Sequence, residues 1–235
     1  MTSPRDLRCP DPAGCPVVAE LPAVPGVWLE AGAPLYRVYS TKWGYDEFNP
    51  GLGDTRFAPL AAAVTGAQVP TMYLAADQIG ALLETVFHEV HQQLPRSIYE
   101  KDLRPFGLAH VLVPRRLWLA DLRDDALAAA GVGREQLVST MREHYPCTRR
   151  VARELHGRVI NGRRVAGLLW HSRQAELLEA AAPAVVCVLF GDVAGTDRGS
   201  WALTGPGVRN LYEGPGRLLV DVLAEQLSAT VHPAD

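Results

Sequence analysis

Apolar residues along this chain switch between two spacings, and the switch is sharpest over Pro70–Gln92, PTMYLAADQIGALLETVFHEVHQ. Thr71–Ala75 is a short apolar run with Tyr73 among small and aliphatic neighbours, which predicts a strand. Asp77 then stands at a helix N-cap position, and Ile79, Leu82, Leu83, Val86, Phe87 and Val90 recur at helical spacing, which predicts an amphipathic helix over 77–93. The polar exception on its inner part is Glu84, flanked by Leu82, Leu83, Val86 and Phe87. An isolated carboxylate in that setting sits at a face boundary or is placed for chemistry.

The same reading extends along the chain. Leu35–Ser40, LYRVYS, predicts a strand with Arg37 and Tyr39 on one face and Tyr36 and Val38 on the other. A guanidinium within an apolar, aromatic strand needs a partner if that face is covered. Lys42–Pro59 is a Gly/Pro/Asp-rich loop, long enough to suggest a functional role. Strands are predicted at His110–Pro114, Leu117–Leu122, Val165–Trp170 and Val185–Phe190. Helices are predicted at Asp124–Ala130, Gly133–His144 (ended by Tyr145–Pro146), Thr148–Leu155 with Thr148 as cap, Arg173–Ala181 and Gly216–Ala229. Gly191–Gly207 reads as loop. Residues 1–33, rich in Pro, Ala and Val with little periodicity, read as an extension along the domain surface. This irregular order of elements argues for an α+β domain rather than a doubly wound sheet.

Composition narrows the function classes. The 235 residues are 48% hydrophobic and 21% charged, with a formal net charge of −3, so no whole-chain argument supports nucleic-acid binding. No apolar run approaches the roughly 18–20 residues that span a bilayer. The first residues lack the apolar stretch of a secretory signal, so the expected location is cytoplasmic. Cys187 lies in the apolar run AVVCVLF and reads as a buried thiol. Cys9 and Cys15 flank a Pro-rich loop and suit a disulfide or half a metal site. No His or Cys pair elsewhere has the spacing to complete a zinc site, so two free thiols and no metal are expected.

Three local patterns carry little chemistry by themselves. In His88-Glu89-Val90-His91 the histidines are three apart, whereas a zincin needs them four apart on one helix face. The loop Asn49–Asp54, NPGLGD, matches neither a P-loop nor a dinucleotide fingerprint. Ser172 follows the strand VAGLLW at a strand-to-helix junction, where an N-cap is the ordinary role, and no nucleophile elbow surrounds it.

Taken in order, LYRVYS, GDTRFAPL, PTMYLAADQIGALLETVFHEV and GLLWHSRQA resemble the RES-domain family, named for an Arg, a Glu and a Ser. LWLADLRDDALAAAG, the segment from Tyr145 to His156 and VVCVLFGD match as well, so the likeness runs from about residue 34 to 192. Residues 1–33 then form an N-terminal extension, 34–192 the RES domain and 193–235 a C-terminal loop and helix on the same domain. The resemblance implies an ADP-ribosyltransferase-like fold, a split, curved β-sheet around an NAD cleft with flanking helices. It implies an enzyme that consumes NAD by hydrolysis or phosphorolysis, a toxin of a toxin–antitoxin pair. A protein ADP-ribosyltransferase, or a degenerate member that only binds a nucleotide or a partner protein, are the alternatives. The family's naming residues fall at Arg56, Glu84 and Ser172, with a second arginine at Arg37 and the strand tyrosine at Tyr73. Many members carry Trp-Asn after the loop arginine, where this chain has Phe57-Ala58. The implied partners are NAD, phosphate as an acceptor and a helix-turn-helix antitoxin; a homo-oligomer is compatible with it.

The chemistry fits this residue set. Cleaving the nicotinamide–ribose bond passes through an oxocarbenium-like state, and nicotinamide leaves a cationic precursor as a neutral molecule. One carboxylate, Glu84, then suffices to stabilise developing charge. Arg37 and Arg56 suit a pyrophosphate, Tyr73 a nicotinamide ring, and Ser172 the orientation of Glu84 or of the amide.

Overall fold

In the computed structural model, which describes residues 9–88, 90, 94–178, 183–205 and 207–233, the predicted strands gather into one large mixed sheet. Its strands are β1 (Gly26–Leu29), β2 (Pro34–Ser40), β3 (Thr71–Ala75), β4 (Phe106–Leu112), β5 (Leu117–Asp121), β6 (Gly167–His171), β7 (Val185–Phe190) and β8 (Ala202–Leu203). They lie in the order β1-β5-β6-β7-β3-β2-β4-β8, with β5 and β6 parallel and the other neighbours antiparallel. The sequence pattern does not reveal β1 or β8, which are short edge strands.

The alternation along β7 shows how the sheet is covered. Val186, Val188 and Phe190 pack into one core cluster, while Cys187 and Leu189 pack into the other. Both faces of the central strands are therefore buried, which is why VVCVLF reads as a continuous apolar run. The larger cluster is closed by Leu82 and Leu83 of helix α1 (Gln78–Leu83), Val151 and Leu155 of α2 (Tyr145–Gly157), and Val220 and Leu223 of α3 (Gly214–Gln226). Phe48, Ala194 and Trp201 close the smaller one.

Pairing between β2 and β3 is what opens the site. Strand β2 pairs with β4 along its full length, but with β3 only at Tyr36–Ala75. Beyond that pair the loop takes over: Asn49 N–H donates to Thr71 O at 2.7 Å, and Thr71 N–H to Asn49 O at 2.9 Å. The long loop thus occupies the ladder that β2 leaves.

Three local expectations change. Helix α1 starts on Asp77, whose carboxylate accepts from Gly80 N–H at 2.7 Å, but ends at Leu83 instead of running to 93. Glu84 caps it, and Phe87 N–H reaches back to Leu82 O, five residues away, as the chain turns out of the α-helix. Pro146 does not end a helix; it sits in the first turn of α2, where its missing N–H costs nothing. The segment 133–144 holds short 3₁₀ turns at Arg134–Gln136 and Arg142–His144, and Gln174–Leu177 is likewise 3₁₀. The remainder of that predicted helix, 179–181, lies outside the described residues.

The segment before residue 34 does more than lie on the surface. Strand β1 extends the sheet edge beside β5, and Val17, Leu21 and Val24 are buried. Arg150 of α2 donates to the carbonyls of Val18 and Ala19, and Arg158, its C-cap, to those of Leu21 and Pro22. At the other end, Thr230–His232 pairs in parallel with Ser97–Tyr99. Among the described residues no helix is long and apolar enough to cross a membrane.

Leu21 is 3% exposed, so truncation to alanine removes buried methyl groups and leaves a cavity. Leu21→Ala is expected to lower the free energy of urea unfolding by about 2–4 kcal/mol. Val64→Ala, at a position 96% exposed, is expected to stay within about 0.5 kcal/mol of the parent. Equal stability of the two variants would remove this segment from the core.

Candidate active site

Where β2 and β3 part, a cleft of about 370 Å³ opens, within the usual size of small-molecule sites. Arg37 of β2, Tyr73 of β3 and Glu84 at the end of α1 all line it, with Trp43 and Thr55 from the loop and Thr85. Ser172 and Arg56 are not among its lining residues.

Glu84 reaches the cleft because α1 stops there. Its backbone N–H is spent on Gly80 O at 3.0 Å, which fixes the residue as the helix cap. Its carboxylate accepts the Ser172 hydroxyl at 2.5 Å, a short charge-assisted hydrogen bond. Ser172 lies just past the end of β6 and is held from two sides. Its N–H donates to Ala184 O at 2.8 Å, and its hydroxyl oxygen accepts Gln174 N–H at 3.2 Å. The 3₁₀ turn that follows is capped by Arg173, not by Ser172; the Ser172 oxygen accepts the Gln174 N–H while its proton goes to Glu84. Gln174 donates its side-chain amide to His88 O at 2.5 Å, tying the turn after Glu84 to the same element.

Arg37 finds the partners that a covered guanidinium needs. It donates to the backbone carbonyls of Tyr45 and Glu47, holding the long loop against β2. Burial lowers its pKa to about 10, against the pull of Asp46 and Glu47, so it remains a cation at neutral pH.

Tyr73 is fixed by its hydroxyl, which lies 2.8 Å from Thr55 Oγ1 and accepts Phe57 N–H at 3.2 Å. Its ring meets Trp170 edge-on at 6.0 Å. Burial pushes the phenol well above its ordinary range, so the hydroxyl keeps its proton.

Arg56 is 3% exposed and turned into the protein. It donates to Thr140 O at 2.9 Å and Thr140 Oγ1 at 2.6 Å, lies 5.1 Å above the Tyr145 ring, and its carbonyl accepts the Thr148 hydroxyl. Thr148, expected as a helix cap, instead fastens the loop. The roles of Thr140, Tyr145 and Thr148 around Arg56 carried no sequence signal, since their partners are some 84 to 92 positions away.

The remaining candidates separate clearly. Asn49 turns NPGLGD back on itself, its side-chain oxygen accepting Gly51 N–H at 2.9 Å and Leu52 N–H at 2.7 Å. Of His88-Glu89-Val90-His91, His88 meets Tyr145 OH at 3.2 Å, while Glu89 and His91 lie outside the described residues. The cysteines overturn the spacing argument. Cys9, Cys15, His144 and Cys147 each place a ligand atom within 4.8 Å of the others. His144 and Cys147 stand three apart where a 3₁₀ turn runs into α2, a spacing that suits two ligands of one ion. Cys187 alone is the buried, isolated thiol expected, pushed up to about 12 by burial.

Family comparison agrees with the order of motifs: the RES domain matches residues 34–198, and the chain belongs to that family. Among solved structures, a chain of the crystal structure of the M. tuberculosis MbcT–MbcA toxin–antitoxin complex is similar, with a TM-score of 0.51 and 18% identity. The match covers 86% of this chain and 92% of that one, and at this identity it speaks for the fold alone. No curated protein matches the chain by sequence.

Removing the Tyr73 hydroxyl leaves the Phe57 N–H without its acceptor. Tyr73→Phe is expected to cost about 1–3 kcal/mol of stability, measured by urea unfolding. Unchanged stability would show that the hydroxyl does not hold the loop.

Proposed function

We propose that this protein cleaves the nicotinamide–ribose bond of NAD, transferring the ADP-ribosyl group to water or phosphate, in a cleft of the ADP-ribosyltransferase type. One observation carries the reading: the Glu84 carboxylate lines a small-molecule cleft with a buried cation and an aromatic ring and is held by a serine hydroxyl, while the other acidic residue of the lining, Glu47, is paired with Arg198. Family membership supports it.

In this reading Glu84 stabilises the oxocarbenium-like ribose as positive charge develops, and nicotinamide departs without a general acid. Ser172 is a positioning residue, since its proton points at Glu84 Oε1. The cationic Arg37 sets a positive potential for the pyrophosphate at the root of the loop, and Tyr73 offers a ring to nicotinamide. Arg56 acts through the loop, keeping Thr55 and Phe57 in register with Tyr73; it meets the pyrophosphate directly only by leaving Thr140. The partner is an antitoxin of the helix-turn-helix kind whose tail enters the cleft, a proposal drawn from the family and from the neighbour's toxin–antitoxin complex.

Incubating the purified chain with NAD, with and without phosphate, and following products by NMR tests the activity. Free nicotinamide is expected, with ADP-ribose in one arm or its phosphorylated form in the other; intact NAD in both arms would sink the proposal. Glu84→Gln keeps shape and hydrogen-bonding capacity but loses the charge, so kcat is expected to fall about 10²-fold or more while NAD binding and Tm hold. Substituting Arg37 is expected to raise KM first. Glu225→Gln, on the exposed face of α3, serves as the control. Equal nicotinamide release from the two glutamine variants would rule out the role given to Glu84.

A further inference from the structure

We propose that Cys9, Cys15, His144 and Cys147 bind one zinc ion in a closed, structural Cys₃His site. Four donors of the zinc-preferred types converge on one point, drawn from two segments more than a hundred residues apart. A tetrahedral ion with bonds of about 2.0–2.3 Å sets neighbouring ligand atoms about 3.5–3.8 Å apart. Cys15 Sγ and Cys147 Sγ lie 3.6 Å apart, and all four ligand atoms lie within 4.8 Å of one another. That spacing suits a single ion; an iron–sulfur cluster, standing between its ligands, would hold them farther apart. It is also far beyond the sulfur–sulfur bond of about 2.05 Å in a disulfide.

A second observation is independent of the thiols. His144 is 9% exposed, and its buried Nδ1 has no hydrogen-bond partner among the described residues. An imidazole so placed is costly in a purely structural core and is accounted for by a metal site, where one nitrogen binds the ion. Cys147 is 3% exposed, so one side of the site is closed to water, while Cys9 and Cys15 are half-buried and leave a path of entry. On ligation each thiol gives its proton to solvent, and three thiolates with a neutral imidazole hold the ion with four protein ligands. No position remains for water, so the site braces rather than catalyses.

The brace has a definite target. It ties residues 9–15 to the first turn of α2, which also presents Tyr145 beneath Arg56 and Thr148 to the Arg56 carbonyl.

The test uses the whole chain, purified under thiol reductant without chelator, with metals measured by plasma mass spectrometry. About one zinc per chain is expected. It should be lost in Cys9→Ser and Cys15→Ser, which alter half-buried positions, and kept in Cys187→Ala. Exchange with Co²⁺ is expected to give a thiolate-to-cobalt charge-transfer band and the intense visible bands of a tetrahedral site, and stripping the ion should lower Tm, reversibly on zinc return. A reduced, folded chain that carries no zinc and shows no thiolate–cobalt band would overturn the proposal. So would iron in place of zinc, or zinc retained in both serine variants. None of these readouts depends on NAD turnover.

Discussion

The site depends on one substitution in the sheet: a loop backbone replaces a strand. Strand β2 could have paired with β3 along its length, but meets it at Tyr36–Ala75 alone, while Asn49 exchanges both backbone hydrogen bonds with Thr71. At Thr71 the chain loses little by this, because Asn49 meets both the backbone N–H and the carbonyl that β2 leaves. What it gains is an opening between two otherwise continuous strands. Arg37 stabilises the arrangement from below by giving its guanidinium to the carbonyls of Tyr45 and Glu47. A charge that would be costly on a covered sheet face is thus held by the loop that makes the cleft.

The second constraint is where α1 stops. Had the helix continued through 93, Glu84 would have been one more residue on its side. Because the helix ends at Leu83, Glu84 is its cap, with backbone and side chain fixed by different elements. The backbone belongs to α1, and the carboxylate is oriented from the end of β6. The two contacts come from segments 88 positions apart, so the orientation of Glu84 reports on assembly of the whole sheet.

Much of this was legible in the sequence, and the gaps have physical causes. Continuous apolar runs marked β3 and β7, Asp77 marked the start of α1, and the isolated Glu84 and the covered Arg37 stood out against their periodic surroundings. The short edge strands β1 and β8 gave no period, being too brief to alternate. The end of α1 was hidden because Val86, Phe87 and Val90 continue the helical spacing after the helix has stopped; they remain buried or nearly so through tighter turns. Pro146 misled because proline both ends helices and opens them. The inward turn of Arg56 and the convergence of Cys9 and Cys15 on His144 and Cys147 are tertiary facts, set by packing of α2 rather than by any local pattern.

Helix α2 lies inside the family-matched region, yet Arg150 and, at its C-cap, Arg158 spend their guanidinium groups on carbonyls at Val18, Ala19, Leu21 and Pro22, all outside it. The unit that homology defines and the unit that folds are therefore different lengths. Because the acceptors are main-chain carbonyls, these contacts depend on the path of the flanking segment and on the two arginine side chains, not on which residues occupy that segment. Cutting the chain back to the matched region would leave two of its arginines without the carbonyls that hold them.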